Sequence, residues 1–570
     1  MYRGAHSYAS VADLNAFEGS ASMPDRAKQT EEIEAQIVKD FTMSYDELKK
    51  RHSAMLDRIT STANNSPAYT SIKHITDISQ LGELPMTTYD KIEALIGELG
   101  TEKVLLKKPD IFWYTSGSTG KQKKIYYGKE DFDDIATGLF QMVYLSGARI
   151  TDYPWIFTST GGDTLFGLVL EKYEMDGLIS MLASEMELVE ALKNASKLKR
   201  IDLTVGVTWL YLVMHKIAHN PKDFEKIVEK AVRNQIKIPG LSWLICKYLT
   251  KDIDYANLAE LLSKTRVGFS NAEALAPYLK KIYEAYPNTE MHDVFGATEQ
   301  WVQAVQINKD LDWLGYMLKY SIPEIAEPEE VLKAKQDPTY VPRATPWYEW
   351  SKGMRGELLI TRPGACLPLI RYPTGDMIEV KDPAYGFTVK METTTVDVTL
   401  PAIFSLGRAS DSVDFETDGQ NGNFFGFKVY SRQINDALFS IGNIRWWELY
   451  NIKGAPGRFV FLIIPEEKVK DEAVFRREIM ASLSKTFVEF DAVETGRQFI
   501  LDEARNGESA THTHLIELMI ARPEAYDVID REIKRRVKTG RSVGQQKPRR
   551  IIKVENEEEL KRLTAEKMAA

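Results

Sequence analysis

Short apolar runs alternate with longer segments of helical periodicity through the middle of this sequence. The runs that predict strands lie at 155–157, 178–183, 202–208, 266–269 and 291–295. A helix is predicted over 275–285, between the last two runs. This alternation predicts an α/β fold with a mainly parallel, helix-covered sheet. Because ligands of such sheets bind in loops that leave the carboxyl ends of the strands, candidate chemistry is sought in those loops.

The segments on either side of this region have other patterns. Over 45–96, apolar side chains recur at helical spacing, which predicts amphipathic scaffold helices. Residues 1–40 are polar and end in one helical candidate. Residues 321–349 are rich in proline and charge, and we expect them to run over the surface.

The pattern changes again after residue 410. A glycine-rich loop there precedes a predicted strand at 458–464 and predicted helices over 471–484 and 514–538. We therefore predict two domains, a large multi-layer domain over 1–410 and a small α+β domain over 411–570.

Composition places the chain in the soluble globular class. Of its 570 residues, 44% are hydrophobic and 27% charged, which excludes a disordered acidic chain and a fibrous repeat. The 73 basic and 82 acidic residues give a formal net charge of −9, which argues against general binding to nucleic acid. A basic stretch at 531–553, with ten Lys or Arg against one acidic residue, leaves a nucleic-acid or membrane-surface patch as an alternative to a solvated helix face.

Cysteine usage and hydropathy favour a cytoplasmic protein. Cys246 and Cys366 are the two cysteines, and they cannot supply a disulfide framework or a four-thiolate zinc site. No apolar run reaches the roughly 18–20 residues that a membrane helix needs, and the first residues lack the apolar centre of a secretory signal. We expect neither a membrane segment nor a nucleic-acid partner.

One histidine pair has the spacing of metal ligands. His215 and His219 stand four residues apart on a predicted helix. The glutamate of the metalloprotease motif is missing between them, and no third ligand is evident in the sequence. A structural role is therefore expected for this pair.

The strongest local signal for chemistry is a small-residue loop that runs into basic residues. It consists of Thr115, Ser116, Gly117, Ser118, Thr119 and Gly120, followed by Lys123. Unobstructed backbone N–H groups, hydroxyls and a cation form a cradle suited to polyphosphate. The spacing is not that of a Walker A loop, and a solvated turn is the alternative for this segment taken alone.

Later segments add groups that can complete a nucleotide site. Thr298 and Glu299 place a hydroxyl and a carboxylate after a short strand, where a carboxylate can ligate Mg²⁺ that bridges phosphates. Asp376 ends the segment Arg-Tyr-Pro-Thr-Gly-Asp, a rigid turn suited to gripping a ribose diol. Arg408 precedes a small polar run that can act as a hinge, and Lys547 can bring a cation to a reacting phosphate.

In this order, the segments resemble the signature series of the acyl-adenylate-forming superfamily, which contains acyl-CoA synthetases, peptide-synthetase adenylation domains and luciferases. Within it, the sequence is most similar to phenylacetate-CoA ligases and their relatives. Three stretches support that subgroup, because they are similar to its substrate loop, its adenine-side turn and the start of its small domain. They lie at 161–167, 268–273 and 425–434.

The resemblance implies the adenylate-forming fold, with ATP and Mg²⁺ required for activity. It implies that Thr115, Ser116, Gly117, Ser118, Thr119, Gly120 and Lys123 hold the phosphates. The remaining nucleotide contacts are implied for Asn271, Ala272, Glu273, Phe295, Gly296, Asp376 and Arg408. Thr298 and Glu299 are implied as catalytic residues, with Glu299 also as the Mg²⁺ ligand. Lys547 is implied as the catalytic lysine of a mobile small domain, Lys538 being a weaker candidate, and Asp411 as the hinge.

The resemblance also implies a small-molecule carboxylic acid and coenzyme A as substrates. Phe166, Gly167 and Trp209 are expected to line the acid pocket. The aromatic residues near the expected pocket favour an aromatic or arylacetic acid, although core packing explains them equally well. They are Trp155, Phe157, Phe166, Trp209 and Tyr211. An amine or a carrier-protein thiol stays open as the acceptor, a non-catalytic nucleotide-binding scaffold is the alternative from another class, and a homodimer is one option for the assembly.

Overall fold

Helical periodicity near the start of the chain produces the scaffold helices expected there. The structure, a computed structural model, describes residues 26–69, 72–115, 123–158, 162–181, 185–235, 241–271, 275–409, 412–415, 427–452, 459–486, 516–537 and 550–570. The first helices are α1 (Arg26–Phe41), α2 (Tyr45–Ala63), α3 (Tyr89–Leu99) and α4 (Thr101–Val104), with 3₁₀ turns at Pro67–Tyr69 and Ile78–Glu83. A capping box fixes the start of α2, where Ser44 and Glu47 each accept a hydrogen bond from the other's backbone N–H.

A small hairpin stands apart from the main sheet and carries the predicted phosphate loop between its strands. Its strands β1 (Ile111–Tyr114) and β2 (Lys124–Tyr127) pair in antiparallel fashion. Twelve later strands of the described chain form one sheet: β3 (Pro154–Thr158), β4 (Leu178–Met181), β5 (Leu203–Val207), β6 (Val267–Asn271), β7 (Glu290–Ala297), β8 (Gln300–Val305), β9 (Leu314–Tyr316), β10 (Ile322–Ala326), β11 (Ala344–Pro346), β12 (Arg355–Arg362), β13 (Leu369–Lys390) and β14 (Thr395–Arg408).

Helices cover the sheet where strands and helices alternate in the sequence. They are α5 (Lys129–Leu145), α6 (Gly162–Lys172), α7 (Glu185–Ala195), α8 (Thr208–His219), α9 (Pro221–Gln235), α10 (Leu241–Thr250), α11 (Tyr255–Lys264), α12 (Leu279–Ala285) and α13 (Pro328–Gln336), with 3₁₀ turns at Ala276–Tyr278 and Trp347–Glu349. No helix in the described part of the chain combines the length and hydrophobicity needed to cross a bilayer.

The large sheet is mixed rather than mainly parallel, which corrects one feature of the expected α/β fold. Its strand order is β11-β10-β12-β13-β14-β9-β8-β7-β6-β5-β3-β4. The strands from β7 to β4 in this order pair in parallel, as the alternation with helices predicts. Beyond β7 each pair is antiparallel. In this part of the sheet most neighbouring strands are also consecutive in the chain and are joined by short connections. Short connections of this kind join antiparallel strands.

Residues 321–349 form only in part the surface excursion that their composition predicts. Residues 335–339 are exposed, whereas strand β10 is buried along its whole length and Trp347 is fully buried. Two acidic side chains of the segment are buried and paired. Glu324 accepts a hydrogen bond from the Arg371 guanidinium at 3.0 Å, and Glu330 accepts one from the Tyr340 hydroxyl at 2.6 Å.

The helices α1 and α2 pack against strands that come much later in the chain. The Glu34 carboxylate accepts a hydrogen bond from the Thr393 backbone N–H at 3.1 Å, a separation of 359 residues. The His52 ring nitrogen Nε2 lies 2.7 Å from the Leu318 carbonyl oxygen, 266 residues away. The apolar face of α2 joins the core beneath the antiparallel strands. The helices α1 and α2 therefore pack against the antiparallel part of the sheet.

A second, smaller sheet follows a two-stranded pair in the C-terminal part. Its elements, with that pair first, are β15 (Ser412–Phe415), β16 (Phe427–Tyr430), α14 (Ser431–Phe439), β17 (Trp446–Ile452), β18 (Phe459–Ile464), α15 (Glu472–Thr486), β19 (Ile516–Ile520), α16 (Tyr526–Val537), β20 (Ile551–Val554) and α17 (Glu557–Ala569). The four-stranded sheet has the order β19-β18-β17-β20. The helix predicted over 514–538 is wrong at its start, because the apolar segment of β19 pairs with the buried strand β18.

Candidate active site

The predicted phosphate loop is closed at its base by two hydrogen bonds. The Thr115 N–H donates to the Lys123 carbonyl oxygen at 2.9 Å, and the Lys123 N–H donates to Thr115 Oγ1 at 3.0 Å. These contacts fix the point at which the loop leaves and rejoins the β1–β2 hairpin. The loop residues between them, Ser116, Gly117, Ser118, Thr119 and Gly120, lie outside the described residues.

Thr298 and Glu299 form the two-residue turn between β7 and β8, where the sheet changes from parallel to antiparallel. Both turn carbonyls accept hydrogen bonds from side chains of other elements. The Tyr127 hydroxyl donates to the Thr298 oxygen at 2.6 Å, and Arg362 Nε donates to the Glu299 oxygen at 2.5 Å. The turn is thereby tied to the phosphate-loop hairpin on one side and to β12 on the other.

Three polar side chains converge between the loop and this turn. Lys123 Nζ lies 2.9 Å from the Tyr372 hydroxyl and 3.4 Å from Glu299 Oε1. The Tyr372 hydroxyl donates to the same carboxylate oxygen at 3.2 Å. Burial raises the pKa of Tyr372 well above its ordinary value, and the Glu299 carboxylate raises it further, so the phenol remains a donor. Residues 123, 299 and 372 thus form one hydrogen-bonded group.

A bulge in β13 aims Tyr372 at this group. One extra residue of β13 faces β12 just before Tyr372, and Arg371 there has a φ of +47°, rare for a non-glycine residue. The buried Arg371 guanidinium holds the bulge through Glu324 at 3.0 Å and the carbonyl oxygens of Leu84 and Pro342 at 2.8 Å each. The buried Arg371 side chain therefore stabilises the backbone conformation of the bulge.

A second irregularity in β13 presents Asp376. Gly375 has a φ of +78°, a conformation that favours glycine, and the register against β12 shifts across it. The Asp376 carboxylate lies 3.1 Å from Arg408 Nε, and Arg408 Nη1 donates to the Thr374 carbonyl oxygen at 2.7 Å. The two residues predicted to hold the ribose therefore stand as a pair on neighbouring strands β13 and β14.

The carboxyl ends of the parallel strands bring further predicted residues to one edge. Asn271 ends β6, while Phe295 and Gly296 lie in the last part of β7. A Cβ on Gly296 would stand 2.7 Å from the Trp301 carbonyl oxygen, so this close approach requires glycine. Phe166 and Gly167 lie on α6, and Trp209 lies in the first turn of α8. Ala272, Glu273, Asp411 and Lys547 lie outside the described residues.

Solved structures share this arrangement of strands and helices. A 2-hydroxyisobutyryl-CoA ligase in the postadenylation state, in complex with 2-HIB-AMP, matches with a TM-score of 0.59 at 13% sequence identity, over 93% of this chain and 94% of the other. This chain has the acyl-adenylate-forming fold. The same ligase in complex with R3-HIB-AMP matches it with a TM-score of 0.58 at 13% identity, over 93% and 94% of the two chains. No family model and no curated protein matches the sequence.

The donor set of this adenylate-forming fold suits a magnesium nucleotide. Glu299 is a buried carboxylate beside the loop predicted to hold phosphates, and Lys123 faces it. Mg²⁺ in proteins binds one or two carboxylates together with phosphate oxygens and water. One carboxylate from the chain and oxygens from a triphosphate would supply such a set, so Glu299 fits the role of magnesium ligand.

Three of the aromatic residues expected near the acid pocket belong to the core instead. Trp155, Phe157 and Tyr211 are buried in one hydrophobic cluster. The Trp155 ring N–H donates to Ser180 Oγ at 3.0 Å, and the Tyr211 hydroxyl donates to the Phe269 carbonyl oxygen at 3.0 Å. Their packing and hydrogen bonds account for these side chains without a bound acid.

Three site residues are not predicted from the sequence. Tyr372 lies within the segment Arg-Tyr-Pro-Thr-Gly-Asp, and its position four residues before Asp376 is the signal that could have identified it. Tyr127 and Arg362 support the turn from β2 and β12, and nothing in the local sequence singles them out. Their roles depend on contacts between residues far apart in the chain.

Proposed function

We propose that this protein activates a carboxylic acid with ATP and then transfers the acyl group to coenzyme A. In the first step a carboxylate oxygen of the acid bonds to the α-phosphorus of ATP. The bond between the α-phosphorus and the oxygen that bridges it to the β-phosphate breaks, and pyrophosphate is released. In the second step the coenzyme A sulfur bonds to the acyl carbon, AMP leaves, and the thiol proton passes to solvent. The observation that carries the proposal is the convergence of Lys123, Tyr372 and Glu299 beside the loop predicted to hold phosphates.

The proposed first step needs positive charge and fixed geometry, because an anion must approach a polyanion. Lys123 supplies a cation at the base of the loop, and the hydrogen bonds to Thr115 fix its backbone. Tyr372 donates to Glu299 and so orients that carboxylate. A Mg²⁺ ion bound to this carboxylate would neutralise negative charge on the phosphates. These groups are held before ATP arrives, so little reorganisation is needed on binding.

Other residues are assigned roles on the basis of the family resemblance and their positions. Asp376, paired with Arg408, is placed to accept hydrogen bonds from a ribose diol. Lys547 is proposed to bring a cation to the α-phosphate when the small domain closes. The 2-hydroxyisobutyryl-CoA ligase whose fold this chain shares was solved with an acyl-AMP, which supports the same class of intermediate here.

We place an aromatic or arylacetic acid first among the candidate substrates. Phe166 is half-buried on α6, and Trp209 lies in the first turn of α8, at the carboxyl edge of the parallel strands. An aromatic side chain offers a flat apolar surface to an aromatic acid. Coenzyme A is the preferred acceptor, with an amine or a carrier-protein thiol as the alternatives.

Acid-dependent exchange of labelled pyrophosphate into ATP tests the first half-reaction. A panel of aromatic and aliphatic acids is expected to contain at least one that supports exchange by the purified protein. Glu299→Gln is expected to lower that exchange by about 10²–10³, the usual cost of one preorganised charge-stabilising group. Glu260→Gln, which breaks an exposed pair with Lys264, is the matched control and should leave exchange unchanged.

The acceptor is tested separately with the acid that supports exchange. Addition of coenzyme A is expected to yield the acyl-CoA thioester, detected by its mass, with AMP in equal amount. Pyrophosphate exchange without any acyl-CoA product would contradict coenzyme A as the acceptor and favour an amine or a carrier-protein thiol. Absence of exchange with every acid, in protein shown to be folded by circular dichroism, would favour a non-catalytic nucleotide-binding scaffold.

A further inference from the structure

Two histidines and a glutamate meet at the surface between α8 and α12. His215 and His219 lie on the last turns of α8 and share one face because they are four residues apart. Glu284 reaches the same place from α12. One ligand atom from each of the three side chains lies within 4.8 Å of the others. The third potential ligand, which was not evident in the sequence, therefore comes from a neighbouring helix.

The His219 ring is held in the orientation that a metal ligand needs. Its Nδ1 lies 3.0 Å from the His215 carbonyl oxygen, one turn back along the helix. A proton on Nδ1 makes this hydrogen bond and leaves the Nε2 lone pair directed away from the backbone. Metal-binding histidines almost always use their other nitrogen in this way, because the bond fixes both tautomer and ring direction.

The His215 ring stands beside that of His219 and already contacts a carboxylate. The two ring centroids are 4.6 Å apart, and the rings are inclined by 33°. His215 Nε2 lies 2.5 Å from Glu284 Oε2. Zinc bonds of about 2.0–2.1 Å to such atoms place tetrahedral ligands about 3.3 Å apart. The Glu284 side chain is about half exposed, so its carboxylate can withdraw by the small distance that an ion requires.

We propose that His215, His219 and Glu284 bind one Zn²⁺ ion that links α8 to α12. Two imidazole nitrogens and one carboxylate form a ligand set that zinc uses in proteins, with water in the fourth position. The carboxyl-terminal end of α8 favours a cation, whereas Lys280 beside Glu284 opposes one. The ion would connect α12 to the helix whose first turn carries Trp209. This proposal does not depend on the proposed catalytic function.

Metal titration of the full-length, metal-stripped protein tests the site directly. Competition with a zinc-binding dye is expected to show one Zn²⁺ per chain. His219→Ala and Glu284→Gln are each expected to weaken binding by about 10–100-fold or more, because loss even of an outer-shell partner costs that much. His74→Ala is the matched control, since His74 also pairs with a carboxylate, Asp57, at 3.0 Å but has no second imidazole in the pair.

Cobalt substitution gives a second readout that is independent of activity. The Co²⁺-loaded protein is expected to show visible absorption bands that disappear in His215→Ala/His219→Ala, while the circular dichroism spectrum is unchanged. Undiminished zinc binding by that double variant would overturn the proposal. Failure of the native protein to bind Zn²⁺ at one per chain would also overturn it.

Discussion

The bulge at Arg371 shows how one buried side chain can determine the position of another. Arg371 is fully buried, and its guanidinium contacts Glu324 and the backbone carbonyls of Gly82, Leu84 and Pro342. The same residue sets the bulge that turns Tyr372 towards Glu299. A strained backbone persists only where the surroundings over-determine it, and this guanidinium supplies that constraint.

Arg371→Met is expected to destabilise the protein strongly. The substitution leaves the Glu324 carboxylate buried without its cation, which typically costs about 3–5 kcal/mol in the free energy of unfolding. Urea unfolding followed by circular dichroism measures this change. The double variant Arg371→Met/Glu324→Leu is expected to regain part of the loss, because no lone charge remains. A double variant no more stable than Arg371→Met would contradict the ion-pair explanation.

At the level of single residues, the sequence predicts the charged groups of the site better than the residues that hold them in position. Lys123 and Glu299 were predicted from hydroxyl-rich and acidic motifs, and the structure places them 3.4 Å apart. Tyr127 and Arg362 were not predicted, because each acts on a backbone carbonyl more than sixty residues away in the chain. Hydrogen bonds to a distant backbone leave no local pattern in the sequence.

Among the elements, the β1–β2 hairpin is joined to the rest of the fold by buried side chains and not by strand pairing. In the described part of the chain its strands pair with each other, and none of the twelve strands of the main sheet pairs with them. The Trp113 ring packs edge-on against Trp301 at 5.4 Å between centroids, and the Tyr127 hydroxyl ties the hairpin to the β7–β8 turn. The position of the phosphate loop therefore depends on these contacts.

Tyr127→Phe is expected to loosen the hairpin from the turn. The Thr298 carbonyl would lose its donor, which costs about 1–3 kcal/mol when the group stays buried. We expect a higher KM for ATP in pyrophosphate exchange, because the loop is less well positioned. Tyr316→Phe is the control, since its equally buried hydroxyl lies 3.0 Å from Ser321 Oγ. Equal KM values for the two variants would contradict this role for Tyr127.

The sheet illustrates which elements a sequence pattern can predict. Strands β3 to β7 alternate with helices, so both their existence and their parallel pairing follow from the pattern. The sequence does not predict the buried strand β10, because Glu324 and Pro323 within it and Pro328 after it are typical of an exposed segment. It predicts a helix where strand β19 begins, because a five-residue apolar run fits either structure. Only its pairing with β18 distinguishes the two.

At the scale of the whole molecule, one helix of the C-terminal part packs on the large sheet. The Arg432 guanidinium of α14 lies 4.2 Å from the Phe404 ring centroid of β14. The Phe439 ring lies 5.2 Å from that of Tyr278, and Lys281 pairs with Glu466. Asp436 lies within this contact region. Burial raises the pKa of its carboxyl to about 6, Arg432 opposes that shift, and the carboxylates of Asp312 and Asp293 reinforce it.

This raised pKa predicts that the packing weakens as pH rises. The folded protein keeps a proton on Asp436 that the unfolded chain releases, so the stabilising contribution is present below about pH 4 and is lost as pH rises through about 6. Asp436→Asn, which stays neutral, is expected to remove this part of the fall in unfolding free energy between pH 4.5 and 7. Asp252→Asn, at an exposed position, is the control. Identical pH profiles for Asp436→Asn and the native protein would exclude this role.

The long-range contacts of the first helices have a consequence for biosynthesis. A ribosome adds about 5–20 residues per second, so the 266 residues between His52 of α2 and Leu318 take about 13–53 s to make. During that time the apolar surface of α2, including Leu56 and Ile59, has emerged without the strands that bury it. Nascent chains at this stage expose an amphipathic segment, and we expect holdase chaperones to be their first binding partners.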